Sequence, residues 1–140
     1  MAHFRFNEGE IDIPDDWTDK TVCLFAIGPK QPPTLSFVIN HEDLEPGTEL
    51  AALADEKLEV VAGQLQGFKL LEKRQVEVAG KVGLEAEFTW RSPAGMMHQR
   101  QTFLQHRRRV LVFTLTAMRE IRDEDRARTD TVLASLTLSE

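Results

Sequence analysis

The sequence predicts an α+β domain, a curved antiparallel sheet carrying two main helices. From Lys69 to Ala117 the chain reads as consecutive strands separated by short turns, as in an antiparallel sheet. Two stretches alone space their apolar residues as a helix does, Thr48–Leu65 and Asp123–Leu138. The third observation is the segment TVCLFAI, Thr21–Ile27, a short β-branched and aromatic run ended by Gly28-Pro29. Its two faces, Val22, Leu24, Ala26 and Cys23, Phe25, Ile27, are both apolar. A parallel sheet clad in helices on both sides would account for such a strand. Two helices and short turns do not supply that cladding, so one face is left for a partner surface.

The elements follow in order. Phe4–Phe6 and Glu10–Ile13 read as short strands around Asn7-Glu8-Gly9, and IPDDW leads from Ile13 toward Thr21–Ile27. Gly28–Thr34, with three prolines, is a loop. Leu35–Asn40 is the next strand, with Phe37 and Ile39 on one face and Ser36, Val38 and Asn40 on the other. Pro46-Gly47-Thr48 opens the first helix, with Thr48 as its N-cap. Leu50, Leu53, Ala54, Val61 and Leu65 form its apolar stripe, and Gly67 stops it. Lys69–Val78, Val82–Arg91, Met96–His106 and Val110–Ala117 are the following strands. In the second of these, Leu84, Ala86, Phe88 and Trp90 alternate with Glu85, Glu87, Thr89 and Arg91, the pattern of a half-buried strand. The C-terminal helix directs Val132, Leu133 and Leu136 inward.

With 140 residues and no repeat or linker, residues 1–140 are expected to form one domain with a single sizeable core. The formal charge of −6 argues against nucleic acid and against anionic membranes as partners. Arg107-Arg108-Arg109, the one basic run, reads as a solvated hairpin turn. A lone Cys23 excludes an internal disulfide and any CxxC motif, and mid-strand it reads as a buried small hydrophobe. No apolar stretch reaches ~18 residues, so no membrane insertion is expected. The start, MAHFRFNEGE, lacks a signal-peptide apolar region, and the cytoplasm is the default location.

Residues able to carry chemistry are scattered. His3, His41, His98 and His106 have no metal-binding spacing, and GxSxG, P-loop and GxGxxG patterns are absent. Asp15-Asp16 and Glu42-Asp43 are adjacent carboxylates in loops, the ordinary state of solvated acids. The sequence supports neither catalysis nor a cofactor. A sheet face remains. Val22, Leu24, Val38, Gln99, Gln101, Thr114 and Thr116 fall together if the strands pair in the expected registers. Such a face suits a transmembrane helix, which needs aliphatic contacts and exposes small-residue backbone to glutamine amides. The plainer reading makes the glutamines exposed strand residues.

The strings EGEIDIPDDWTDKTVCLFAI (Glu8–Ile27), SFVI (Ser36–Ile39), QLQGFKLL (Gln64–Leu71) and RQTF (Arg100–Phe103), in that order and spacing, resemble the DcrB-like domain family. Within it the match is to the Eag class, effector-associated chaperones of bacterial type VI secretion, over nearly the whole chain. The resemblance implies a fold similar to PsbP and Mog1, and a homodimer. Its implied role is to bind N-terminal transmembrane segments of secreted effectors, often Rhs toxins, and so to allow loading onto the VgrG spike. Carried over by position, the groove residues are Val22, Leu24, Val38, Leu65 and Gln101. Lys57 stands where a second groove glutamine is expected. Either the correspondence is offset by a residue or two, or the aliphatic stem of Lys57 reaches over the groove. Two other readings stay open: a small-molecule-binding domain with a closed cavity between sheet and helix, and an adaptor for a folded partner.

Overall fold

The computed structural model describes residues 1–28 and 34–139. The loop expected at Gly28–Thr34 therefore lies largely outside the described residues. Eight strands and two helices follow one another as β1 (Ala2–Phe6), β2 (Gly9–Ile13), β3 (Cys23–Ile27), β4 (Leu35–Asp43), α1 (Leu50–Gln64), β5 (Lys69–Val78), β6 (Lys81–Ser92), β7 (Gly95–His106), β8 (Arg109–Ala117) and α2 (Asp123–Ala134). β3 to β8 form one antiparallel sheet in the order β3-β4-β8-β7-β6-β5, while β1 and β2 pair only with each other. The fold is α+β, as the strand pattern predicts.

Tight turns set the registers of the meander. Ala79 and Gly80 both have positive φ, 53° and 74°, the backbone of a two-residue hairpin whose twist matches its strands. Gly83 is required for a different reason: a Cβ there would lie 2.7 Å from the Phe103 carbonyl oxygen. No side chain fits between β6 and β7 at that point.

The two helices cover opposite faces of the sheet. α1 lays Ala54 and Leu58 over Phe103, Val112, Ala86 and Phe88. Phe88 and Phe103 are almost wholly buried, each contributing roughly 1.5–3 kcal/mol of transfer free energy. On the other face Leu35, Phe37, Leu104, Phe113 and Leu115 pack with Ile121 and Leu133. α1 begins one residue later than Thr48 would place it. Glu49 is the N-cap and makes no side-chain cap bond, so helix stability rests on the buried stripe. In α2, Leu133 is buried but Val132 is 52% exposed, and Leu136, beyond the end of the helix, packs at the edge of the core. The expectation that Val132 points inward is corrected: α2 ends at Ala134, and Leu133 takes the inward position.

The larger correction concerns the charged face of β6. Glu85 and Glu87 are buried, as are His98 and Arg100 of β7. α2 lies on that face and brings its own charges. Arg100 donates to Glu85 at 3.0 Å, to Asp130 at 2.9 Å and to the Thr129 hydroxyl at 3.1 Å. Arg126 donates to both oxygens of Glu87, at 2.7 and 3.2 Å. His98 Nδ1 accepts the Ile121 backbone N–H at 2.9 Å, and its Nε2 lies 3.2 Å from Glu87. Asp125 accepts from Arg119 at 2.8 Å and from the Arg122 backbone N–H. The result is an ionic layer between sheet and helix.

That layer makes stability depend on acid. Burial alone would raise the Glu87 carboxyl, but Arg126 and then His98 outweigh it and hold it below its ordinary value of 4.5. The hydrogen bond from Arg119 similarly holds Asp125 below 3.8. A carboxyl lowered on folding adds stability above its unfolded pKa and loses it as pH falls through the folded one. Melting temperature should therefore fall as pH drops from 4.5 through and below the ordinary carboxylate range. Glu87→Gln should flatten part of that fall, measured by thermal melts across the acid series; an unchanged slope would remove Glu87 from the account.

Candidate functional site

The face of the sheet that carries α1 is only partly covered by it. α1 packs mainly on β6 and β7 and reaches Val110 and Val112 of β8, leaving the β4-β3 side of the same face the more open one. The registers place Leu24 opposite Val38, Val38 opposite Thr114, and Thr114 opposite Gln101. One row across four strands thus holds Leu24, Val38, Thr114 and Gln101. The flanking row holds Ala26, Ser36, Thr116 and Gln99. The parity of alternation in each strand dictates these rows.

Exposure increases toward the edge. Val38 is half-buried, Leu24 is 69% exposed, and Val22, which lies just before β3, is 54% exposed. β3 is shorter than Thr21–Ile27 and is an edge strand. Cys23, Phe25 and Ala26 are exposed as well, so Cys23 is not the buried hydrophobe its mid-strand setting predicts. A strand apolar on both faces is here exposed on both from Cys23 to Ala26, and Ile27 alone packs against the core on the α2 side.

Leu65, the C-cap of α1, packs with Val61, Phe68 and Trp90 around Phe88. It stands at the α1 boundary of the open face, across the sheet from Leu24. Lys57 points from α1 toward β4, where its ammonium pairs with Glu42. Partial burial lowers the Lys57 pKa from its ordinary value. Lys57, Gln101, Asn40, Phe103, Val112 and Val60 line a common cleft of about 570 Å³ between helix and sheet.

The two glutamines differ. Gln99 accepts from the Trp90 indole N–H at 2.8 Å and donates to the Thr116 hydroxyl at 3.0 Å, which fixes its amide. Gln101 has no such partner among the described residues and is half-buried beside the cleft. Asn40 escaped the sequence reading of the site. Its Oδ1 is buried without a hydrogen-bond partner among the described residues. The available signal was its parity with Val38 in LSFVIN.

A second, apolar cleft of about 350 Å³ opens on the opposite face, between β3-β4 and α2. Phe25, Ile27, Phe37, Ile39 and Val132 line it. It is not the closed cavity that a small-molecule-binding domain would predict. Among the described residues no group of three His, Cys, Asp or Glu side chains is placed to hold a metal, and no helix is long and apolar enough to cross a membrane.

Comparison with known proteins finds relatives in both sequence and fold. A curated Pseudomonas aeruginosa protein, described as "Effector EagT6", is 29% identical over 117 residues, which is 83% of this chain and 81% of that protein. The crystal structure of PA94 from Pseudomonas aeruginosa, described as a protein of unknown function, superimposes with a TM-score of 0.77 at 26% identity, covering 100% of this chain and 98% of that one. The solution structure of PsbP (CyanoP) from Synechocystis shares the fold, with a TM-score of 0.61 at 14% identity over 89% of this chain and 78% of that one. The DcrB family model matches residues 8–135, and the chain belongs to the DcrB family.

Proposed function

We propose that this chain is a cytoplasmic, non-catalytic chaperone of a type VI secretion effector. It shields the effector's N-terminal transmembrane helices and so keeps the effector, Rhs-type or similar, soluble for loading onto the VgrG spike. The likeness to EagT6 supports association with such an effector. One observation of the fold carries the finer reading: the row Leu24–Val38–Thr114–Gln101 beside α1, buried at Thr114, half-buried at Val38 and Gln101, and exposed at Leu24. Aliphatic side chains on the β3-β4 side give an apolar helix its packing surface. Uncharged hydrogen-bonding groups on the β8-β7 side meet the polar atoms such a helix exposes. Val22 extends the apolar side, Leu65 bounds the far end, and the Lys57 stem forms part of the α1 wall. Charge is kept to the rim, where Lys57 and Glu42 satisfy each other.

The proposed working form is a homodimer. β5, one edge of the sheet, is guarded by Lys69, Glu72, Lys73, Arg74 and Glu77. β3, the other edge, carries no charge and exposes both faces. Unguarded edges invite pairing. The β1–β2 hairpin forms no part of the main sheet, and Phe6, Ile11 and Trp17 near it are exposed. An isolated hairpin is marginally stable without a surface to rest on. A second copy satisfies both needs and sets two grooves about a two-fold axis.

The test is co-expression with the N-terminal apolar segments of a type VI effector, followed by affinity recovery and light scattering. The effector segment should be recovered in soluble form, and the chain alone should scatter at twice its 15.9 kDa mass. Failure to recover any apolar segment would overturn the chaperone reading. The apolar cleft beside α2 favours a second reading, in which a small apolar ligand binds between β3-β4 and that helix. In that case Val132→Glu, and not Leu24→Glu, should abolish ligand binding.

A further inference from the structure

Every polar side chain lining the apolar cleft on the α2 face is committed except Arg128. The floor of the cleft is a cross-strand row, Phe25 of β3 opposite Phe37 of β4, itself opposite Leu115 of β8, with Ile27 and Ile39 beside it. Its roof is one stripe of α2, where Asp125, Arg128, Thr129 and Val132 recur at helical spacing. The Thr129 hydroxyl donates to the Asp125 carbonyl of its own helix and accepts from Arg100. Arg119 holds the Asp125 carboxylate. The other acids of α2 are taken as well: Asp130 by Arg100, Asp123 by Arg126 and Glu124 by Arg122. Arg128 is exposed, stands one turn before Val132, and pairs with no carboxylate among the described residues. An adjoining cleft shares Ile27, Leu35 and Arg128 and adds Arg119 and Arg122. The one uncommitted charge at this apolar surface is therefore positive.

We infer that this cleft binds the single aliphatic chain of a fatty carboxylate, whose head group pairs with Arg128. The inference rests on the second reading above and gives its ligand a chemical class. A volume of about 350 Å³ lies at the small end of the range for ligand pockets. An α-helix, roughly 10–12 Å across with its side chains, does not fit that space, so the cleft is not a second seat for effector helices. One flexible chain does fit. It removes water from Phe25 and Val132, exposed apolar residues that line the opening from the sheet and from the helix. A purely apolar ligand leaves Arg128 without a partner. A carboxylate matches the planar guanidinium with two parallel hydrogen bonds. Asp125, the one carboxylate in the lining, is neutralised by Arg119 and does not oppose an anionic head group.

The probes are decanoate and decanol, each titrated into the full chain by calorimetry. Decanoate should bind about fivefold more tightly, the ratio an ion pair at a solvent-exposed edge supports, and the difference should shrink as salt is raised. Arg128→Gln should bring decanoate down to the affinity of decanol while leaving decanol unchanged. Val132→Glu should abolish binding of both. Arg128 and Val132 are exposed, so each variant should melt near the wild-type temperature. If decanol binds as tightly as decanoate and Arg128→Gln alters neither, the apolar-ligand reading stands and the carboxylate assignment is overturned. Binding of neither probe overturns both. If Val132→Glu then also splits a dimer, the cleft is an interface between copies of the chain.

Discussion

Leu24→Glu and Val38→Glu are expected to abolish recovery of a co-expressed effector segment while changing the melting temperature of the free chain little. Leu24 is 69% exposed on an edge strand, so a glutamate there keeps its hydration in the free protein. Val38 is half-buried between Leu24 and Thr114, with the open side of the face before it. A bound apolar helix would strip water from either carboxylate, at a cost of several kcal/mol without a partner. A loss of about 3 kcal/mol lowers affinity more than a hundredfold, enough to empty a groove that holds its helix mainly by packing. Gln101→Ala should act more gently, removing a hydrogen bond worth about 1 kcal/mol. The paired measurement is thermal melting of each variant alone and effector recovery on co-expression. Unfolding of both glutamate variants would place Leu24 and Val38 in the core and end the open-face argument.

The row that motivates those variants was legible in the sequence because strand parity is strict. Once Leu24, Val38, Thr114 and Gln101 are assigned to strands, alternation decides which side they share, and short turns narrow the registers. The partnerless face of TVCLFAI was legible for the same reason, although both faces of β3 turn out to be exposed from Cys23 to Ala26. Position within the sheet was not legible. Alternation says nothing about whether a strand is central or at an edge, so Cys23 read as buried and is exposed.

The ionic layer escaped for a related reason. Glu85 and Glu87 alternate with apolar residues as a solvated face does, and the pattern is the same whether water or a charged helix lies above. The missing signal stood in α2 itself, where DEDRARTD places Asp125, Arg126, Thr129 and Asp130 within two turns. A helix with so little apolar stripe docks through pairing as well as packing. Asn40 illustrates a third limit. Its parity was correct, but only side-chain coordinates reveal that its oxygen is buried without a donor.

Arg100→Ala should be the most destabilising single substitution in the ionic layer. Arg100 and Glu85 have side-chain exposures of 4% and 7%, and the guanidinium also holds Asp130 and Thr129 of α2. Burial works against the charged guanidinium, but Glu85 and Asp130 together raise its pKa above the ordinary arginine value. Deleting one member of a buried pair leaves the other charged and poorly solvated, a loss of about 3–5 kcal/mol. For a domain of this size that corresponds to a fall in melting temperature of roughly 10–20 °C. Arg74, 3.1 Å from the other Glu85 oxygen but half exposed, can compensate only in part. The pair as a whole is worth less than that loss, because forming it also required desolvating both charges. Arg100→Met combined with Glu85→Gln should therefore be more stable than Arg100→Met alone, a non-additivity measurable in a double-mutant cycle. Effector recovery by the double variant should be near wild type, since the layer lies on the α2 face and the groove on the α1 face. Additive losses in the cycle would mean that Arg100 and Glu85 act independently and do not form a coupled pair.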